Sequence, residues 1–130
     1  MATAHLDSGD APFAQRIRMG SHTIVSDELP SLGGADAGAS PYELLLASLG
    51  ACTSITLRMY ADRKGWTLGP VHLDLHFVRE GDIERIERTI VLSSSLTDEQ
   101  RARLAEIAEK TPVTKTLRRA TPIETKIAIG

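Results

Sequence analysis

A single cysteine, Cys52, stands in this 130-residue chain, inside the apolar and small-residue stretch PYELLLASLGACTSITLRMYADRKGW. A thiol in such surroundings is either a packing residue or a nucleophile. Free cysteine is among the most buried residue types, which favours packing. A reactive thiol must be held as thiolate, and that requires a nearby cation, a helix N-terminus or an adjacent base. Glu43 is the carboxylate nearest to Cys52 within the same stretch. Nine residues of helix would separate the two by roughly 13 Å along the axis and about 180° around it, so they cannot touch within one helix. A second constellation is His72, Asp74 and His76, which project from one strand face at two-residue spacing. Imidazole and carboxylate in that order suit a metal, but no further Cys or His cluster supports one, and the plain reading is a solvated polar face.

The elements that must position these groups follow from pattern. Ser40-Pro41-Tyr42-Glu43 combines an N-cap hydroxyl, a proline at the first helical position and a glutamate three residues after the cap. A long helix is predicted from there to Lys64, with Gly65 stopping it. Glu43 is thereby accounted for as the partner of Ser40 in a capping box. Cys52 lies near the twelfth residue of this helix, beyond reach of the N-terminal dipole, which fades within the first turn. Apolar neighbours disfavour a buried charge, so a reactive Cys52 needs a cation brought in from another part of the fold. Leu44, Leu45, Leu46, Leu49, Ile55, Leu57 and Met59 spread around the helix, which predicts burial on more than one side, as at the centre of a dimer.

Upstream, residues 12–19 and TIVSDEL flank Gly20-Ser21 and read as two strands about a turn. Residues 30–40, PSLGGADAGAS, are a long Gly-rich connection of the kind that serves as a lid or binding segment. Downstream, VHLDLHFV alternates strictly, and after the Glu80-Gly81-Asp82 turn IERIERTIVL returns with Ile86, Ile90 and Leu92 on one face and charges assigned to the other. Thr97 to Gln100 is a second capping box, opening a helix through Lys110 that Thr111-Pro112 ends. PIETKIAIG reads as a final strand. The order is that of an α+β fold in a single domain, residues 1–130.

Composition narrows the function classes. With 42% hydrophobic and 25% charged residues the chain is of ordinary globular type, and a net charge of -2 without basic clusters gives no footprint for nucleic acid. No run approaches the ~18 consecutive apolar residues of a membrane span, and MATAHLDSGDAPF lacks the order of a signal peptide, so a cytoplasmic protein without membrane partners is expected. One cysteine cannot form an intrachain disulfide.

The segment from Gly33 to Trp66, with Pro41-Tyr42-Glu43-Leu44 and LGACTSITLRMYADRKGW, followed by TPVTKTL from Thr111 to Leu117, resembles the OsmC/Ohr family of thiol-dependent hydroperoxide reductases. The likeness runs from about residue 12 to the C-terminus and is nearest the general OsmC-like branch. The resemblance implies an intertwined homodimer in which antiparallel sheets surround two long central helices, with active sites at the subunit interface. It further implies that Cys52 is a peroxidatic thiolate that attacks an organic hydroperoxide, releases an alcohol and becomes sulfenic acid. In the family a second cysteine then forms a disulfide that an external thiol reduces, while an arginine and a glutamate hold the thiolate. The chemistry resides in side chains, so neither cofactor nor metal is expected.

Two departures stand out. The second cysteine falls on Thr111, in KTPVTKTL, so no internal disulfide can form. The glutamate that directly follows the proline in the hydroperoxide resistance branch is Tyr42 here, with Glu43 one residue later and turned by about 100°. Arg18, beside Arg16 on the N-terminal strand, is the candidate arginine, and His22 a weaker substitute. Two functions are therefore carried forward. One is a one-cysteine peroxidase that uses Cys52, Arg18 and Glu43 with an external resolving thiol. The other is a non-catalytic family member that binds an apolar or electrophilic small molecule at the dimer interface.

Overall fold

The computed structural model describes residues 1–9 and 11–130, and the chain divides into two compact units, Met1–Ala47 and Ser48–Gly130. The fold is α+β, with antiparallel sheets and one long helix.

In the first unit β1 (His5–Ser8), β2 (Gln15–Met19) and β3 (His22–Ser26) form an antiparallel sheet in that order, with Ile17 paired to Leu6 and Ile24 and buried. The two-residue turn Gly20-Ser21 that joins β2 to β3 uses a positive φ of 60° at Gly20, which glycine adopts without steric cost. β1 was not legible in the sequence: all four of its residues are exposed, and Leu6 alone among them is apolar.

The Gly-rich connection is pinned by hydrogen bonds. Buried Asp27 accepts backbone N–H groups from Glu28 (2.7 Å), Ala35 (3.1 Å) and Ala37 (3.1 Å), and a 3-10 turn at Pro30–Leu32 shortens the path. Gly34 and Gly38 are required by close approach, since a Cβ on either would lie 1.9 Å from the carbonyl oxygen of Glu28 or Val25. The bond from the Ala37 N–H, followed by that from Glu28, holds the Asp27 carboxyl below its ordinary value of 3.8. A carboxylate with a depressed folded pKa stabilises above the unfolded value and loses that contribution as pH falls through the folded one. Asp27→Asn is accordingly expected to lower Tm by roughly 5–10 °C at pH 7. In melts repeated at falling pH, its deficit against the native protein shrinks below about pH 4.

α1 (Pro41–Lys64) begins and ends where the sequence predicts. The Ser40 N–H donates to Glu43 Oε1 (2.9 Å) and the Glu43 N–H to Ser40 Oγ (3.4 Å), completing the capping box. At the other end Gly65 (φ 70°) and bonds from Trp66 N to Ala61 O and from Gly65 N to Asp62 O form a Schellman motif. α1 is also long and apolar enough, by length and composition, to cross a membrane.

In the second unit α1 contributes a buried stripe at four-residue spacing, Leu49, Thr53, Leu57 and Ala61. The predicted enclosure on more than one side is not reached within the single chain, because Ile55 is 55% and Met59 60% exposed. β4 (His72–Glu80) and β5 (Ile83–Val91) pair as a hairpin, and Gly50 lets the helix approach it: a Cβ there would come 2.9 Å from Leu75 Cδ1. α2 (Asp98–Ala108) opens with its capping box formed, and its Leu104 and Ala108 join Leu57, Ala61, Leu68 and Leu96 in the core.

Three expectations are corrected here. α3 (Pro112–Arg118) follows the Thr111-Pro112 break, where no helix was foreseen; proline suits its first turn, and Thr111 caps it. The assignment of all β5 charges to the outer face fails at Arg88, which shares the face of Ile86 and Ile90 and has an 11% exposed side chain. The C-terminal strand is absent, since residues 119–130 form neither helix nor strand, and Ile123, Ile127 and Ile129 are almost wholly exposed. Alternation suits a residue run to a sheet, but a strand also needs an edge to pair with, and this tail pairs with none within the chain.

Candidate functional site around Cys52

Cys52 is a free, half-buried cysteine whose Sγ lies 3.9 Å from Thr56 Oγ1, one turn further along α1. Its neighbour Thr53 points into the core with no exposed surface. The Thr53 hydroxyl donates to the Leu49 carbonyl (2.7 Å) and accepts from Arg88 Nη1 (2.9 Å). Arg88 Nη1 also donates to Thr114 Oγ1 (3.0 Å), and Nη2 to the Ala108 carbonyl (3.1 Å), with Glu109 Oε1 at 3.8 Å as counter-charge. Thr114 Oγ1 lies 2.6 Å from Thr111 Oγ1, and Thr111 caps α3 by accepting the Thr114 N–H. Position 111, where a thiol was expected, is thus fully buried and occupied by a hydroxyl engaged in a continuous polar chain that ends beside Cys52.

The other predicted site residues lie in the first unit. Arg18 stands on β2, exposed, in register with His5 and Thr23; Arg16 is exposed opposite Asp7, and His22 is exposed at the start of β3. Glu43 is engaged with Ser40, first through the backbone N–H and then through the hydroxyl, which holds its carboxyl below the ordinary 4.5. Its capping role is therefore direct.

His72 Nε2 and Asp74 Oδ2 are 3.1 Å apart on an exposed face, and among the described residues no group of three or more His, Cys, Asp or Glu could hold a metal ion. The residue sequence reasoning missed is Arg88. Its signal was available in the alternation of β5, where an arginine falls on the parity of two isoleucines.

A mixed fold with a long helix, a lone half-exposed thiol in its middle and a hairpin packed on the turn that carries it defines a class of single-thiol α+β proteins. The chain belongs to the OsmC-like protein family, whose model matches residues 33–126. It resembles a putative osmotic stress induced and detoxification response protein from Psychrobacter arcticus (19% identity, 89% of this chain and 88% of that one, TM-score 0.78). An OsmC-like protein from Mycoplasma pneumoniae is similar at 20% identity over 92% and 87% of the two chains, with TM-score 0.73. The organic hydroperoxide resistance protein OhrB of Bacillus subtilis is similar at 20% identity over 92% of both, with TM-score 0.62. No curated relative matches the sequence.

Proposed function

We propose that the protein reduces organic hydroperoxides through Cys52 alone, with a resolving thiol supplied from outside the chain. The observation that carries this reading is a half-exposed cysteine on α1, within the family-matching segment of a chain that has no second cysteine. The Cys52 thiolate attacks the distal hydroperoxide oxygen, the O–O bond breaks, and the departing alkoxide takes a proton to leave as alcohol. The resulting sulfenic acid condenses with an external thiol, releasing water and forming a mixed disulfide. A second external thiol attacks that disulfide, regenerates Cys52 and leaves as oxidised disulfide. Arg18 is the proposed cation for the thiolate and Glu43 the carboxylate that orients it; because Glu43 cannot reach Cys52 along one helix, the proposal has the pair serve the thiol of the partner copy.

The proposal treats residues 1–130 as one cytoplasmic domain that works as a homodimer with its pocket at the subunit interface. The exposed Ile55 and Met59 on α1 and the unpaired isoleucines of the tail support a partner copy. Stoichiometric cumene hydroperoxide at neutral pH is expected to yield a dimedone-trappable sulfenic acid on Cys52. Oxidation no faster than that of a free thiol sinks the peroxidase reading and leaves ligand binding without turnover.

The missing thiol supplies a separate test. Thr111→Cys is expected to form a disulfide with Cys52 after one equivalent of hydroperoxide, detected by loss of both free thiols. The variant also loses a helix cap, at a cost of about 1 kcal/mol in denaturant unfolding. Two persistent free thiols would show that the family's second position does not carry over to this segment.

A further inference from the structure

Arg88 occupies a position that the pattern of β5 assigns to an apolar residue, with Ile86 and Ile90 flanking it on the same face. Burying a guanidinium is unfavourable unless its donors are matched. Here the match is made by groups from separate elements: the Thr53 hydroxyl of α1, the Thr114 hydroxyl of α3 and the carbonyl of Ala108, the last residue of α2. The last contact places a cation at a helix C-terminus, where unpaired carbonyls concentrate negative potential. Glu109 at 3.8 Å, itself half-exposed, is a distant counter-ion, so the fixed geometry of the fork rather than one ion pair holds the arrangement.

The α1 end of this clamp falls one residue from the thiol. Thr53 Oγ1 is held from both sides, donating to Leu49 and accepting from Arg88, inside the core. Rotating that turn about the helix axis would leave a buried guanidinium N–H without an acceptor. Cys52 precedes Thr53 by about 100° and 1.5 Å on the same turn, so whatever fixes the one fixes the direction of the other.

We propose that Arg88 is a positioning residue for the Cys52 thiol: by clamping Thr53 to the α2–α3 junction it sets the direction in which Sγ faces. The inference rests on Cys52 being a reactive thiol. A lysine at position 88 retains the charge but cannot serve two hydroxyls and a carbonyl in one plane, whereas Thr53→Val removes the α1 contact and keeps the shape of the side chain.

The experiment compares native protein, Arg88→Lys and Thr53→Val for the rates at which Cys52 reacts with cumene hydroperoxide and with iodoacetamide, below each variant's Tm. The hydroperoxide rate is expected to fall roughly tenfold to a hundredfold in both variants, because displacement at oxygen requires an aligned approach. Alkylation, which needs only an accessible thiolate, falls less. A clamp with a purely structural role lowers Tm and leaves both rates within about twofold of native, which overturns the proposal. If Arg88→Lys does not fold, Thr53→Val decides by the same criterion. A native hydroperoxide rate no faster than a free thiol's defeats the peroxidase reading instead. In that case the proposal stands or falls on the alkylation rates, which shift in the variants if the clamp governs thiol presentation and stay within about twofold if it does not.

Discussion

Cys52→Ser is expected to remain folded and to form no dimedone adduct and no cumyl alcohol from cumene hydroperoxide. The serine fits because Cys52 is half-buried and Thr56 Oγ1, at 3.9 Å from Sγ, leaves room for a hydroxyl. Serine and cysteine have nearly equal helix propensities, so the backbone of α1 is little affected. Chemically the change is complete, because a serine hydroxyl is un-ionised near neutrality and does not attack peroxide oxygen, and the chain has no second thiol to substitute for it. Trapping followed by mass spectrometry reads the adduct, and chromatography reads the alcohol. In the native protein one alcohol per chain is expected without reductant, with further alcohol when a small thiol is supplied. Alcohol production that survives in Cys52→Ser would locate the chemistry elsewhere and end the single-cysteine mechanism.

Leu104→Ala is the largest stability effect anticipated, a loss of about 3 kcal/mol and a fall in Tm of roughly 10 °C. Leu104 has no exposed surface and belongs to the cluster in which α1 and α2 pack through Leu57, Ala61 and Ala108. It also borders an open cleft of about 230 Å³, lined by Leu57, Ile90, Leu92, Arg101 and Ala105. Truncation leaves a cavity that the surrounding side chains close only in part, which sets the cost within the range for buried leucines. Leu104→Met, which conserves volume, is expected to cost less than about 1.5 kcal/mol. Urea unfolding of the pair separates the two values. Equal losses would mean that the cluster is not the packed centre of the second unit.

Most of the framework was legible in the sequence because local rules act without tertiary help. The boundaries of α1 rest on Ser40, Pro41, Glu43 and Gly65, each of which satisfies or ends backbone hydrogen bonding within a few residues of itself. The hairpin of β4 and β5 follows from strict alternation about Gly81. The errors arose where an outcome depends on groups distant in the chain. The tail from Arg119 has the alternation of a strand, yet pairing needs an edge that no nearby residue encodes. Asp27 reads as part of the TIVSDEL strand, but its burial under the N–H groups of Ala35 and Ala37 turns a Gly-rich segment into a pinned one.

The site divides in the same way. That Cys52 is the sole thiol, that it lies too deep in α1 for the helix dipole, and that Thr111 stands where a second thiol was expected are properties of residue order, and the sequence by itself determined them. Only the tertiary structure decided that Thr111 is a buried cap, and that a strand arginine on an apolar face, Arg88, joins it through Thr114 to the turn beside Cys52. The physical reason is range: capping, periodicity and turn chemistry act over a few residues. Matching a buried cation requires acceptors that here lie 35 and 26 residues away along the chain, and folding alone brings them within 3.0 Å.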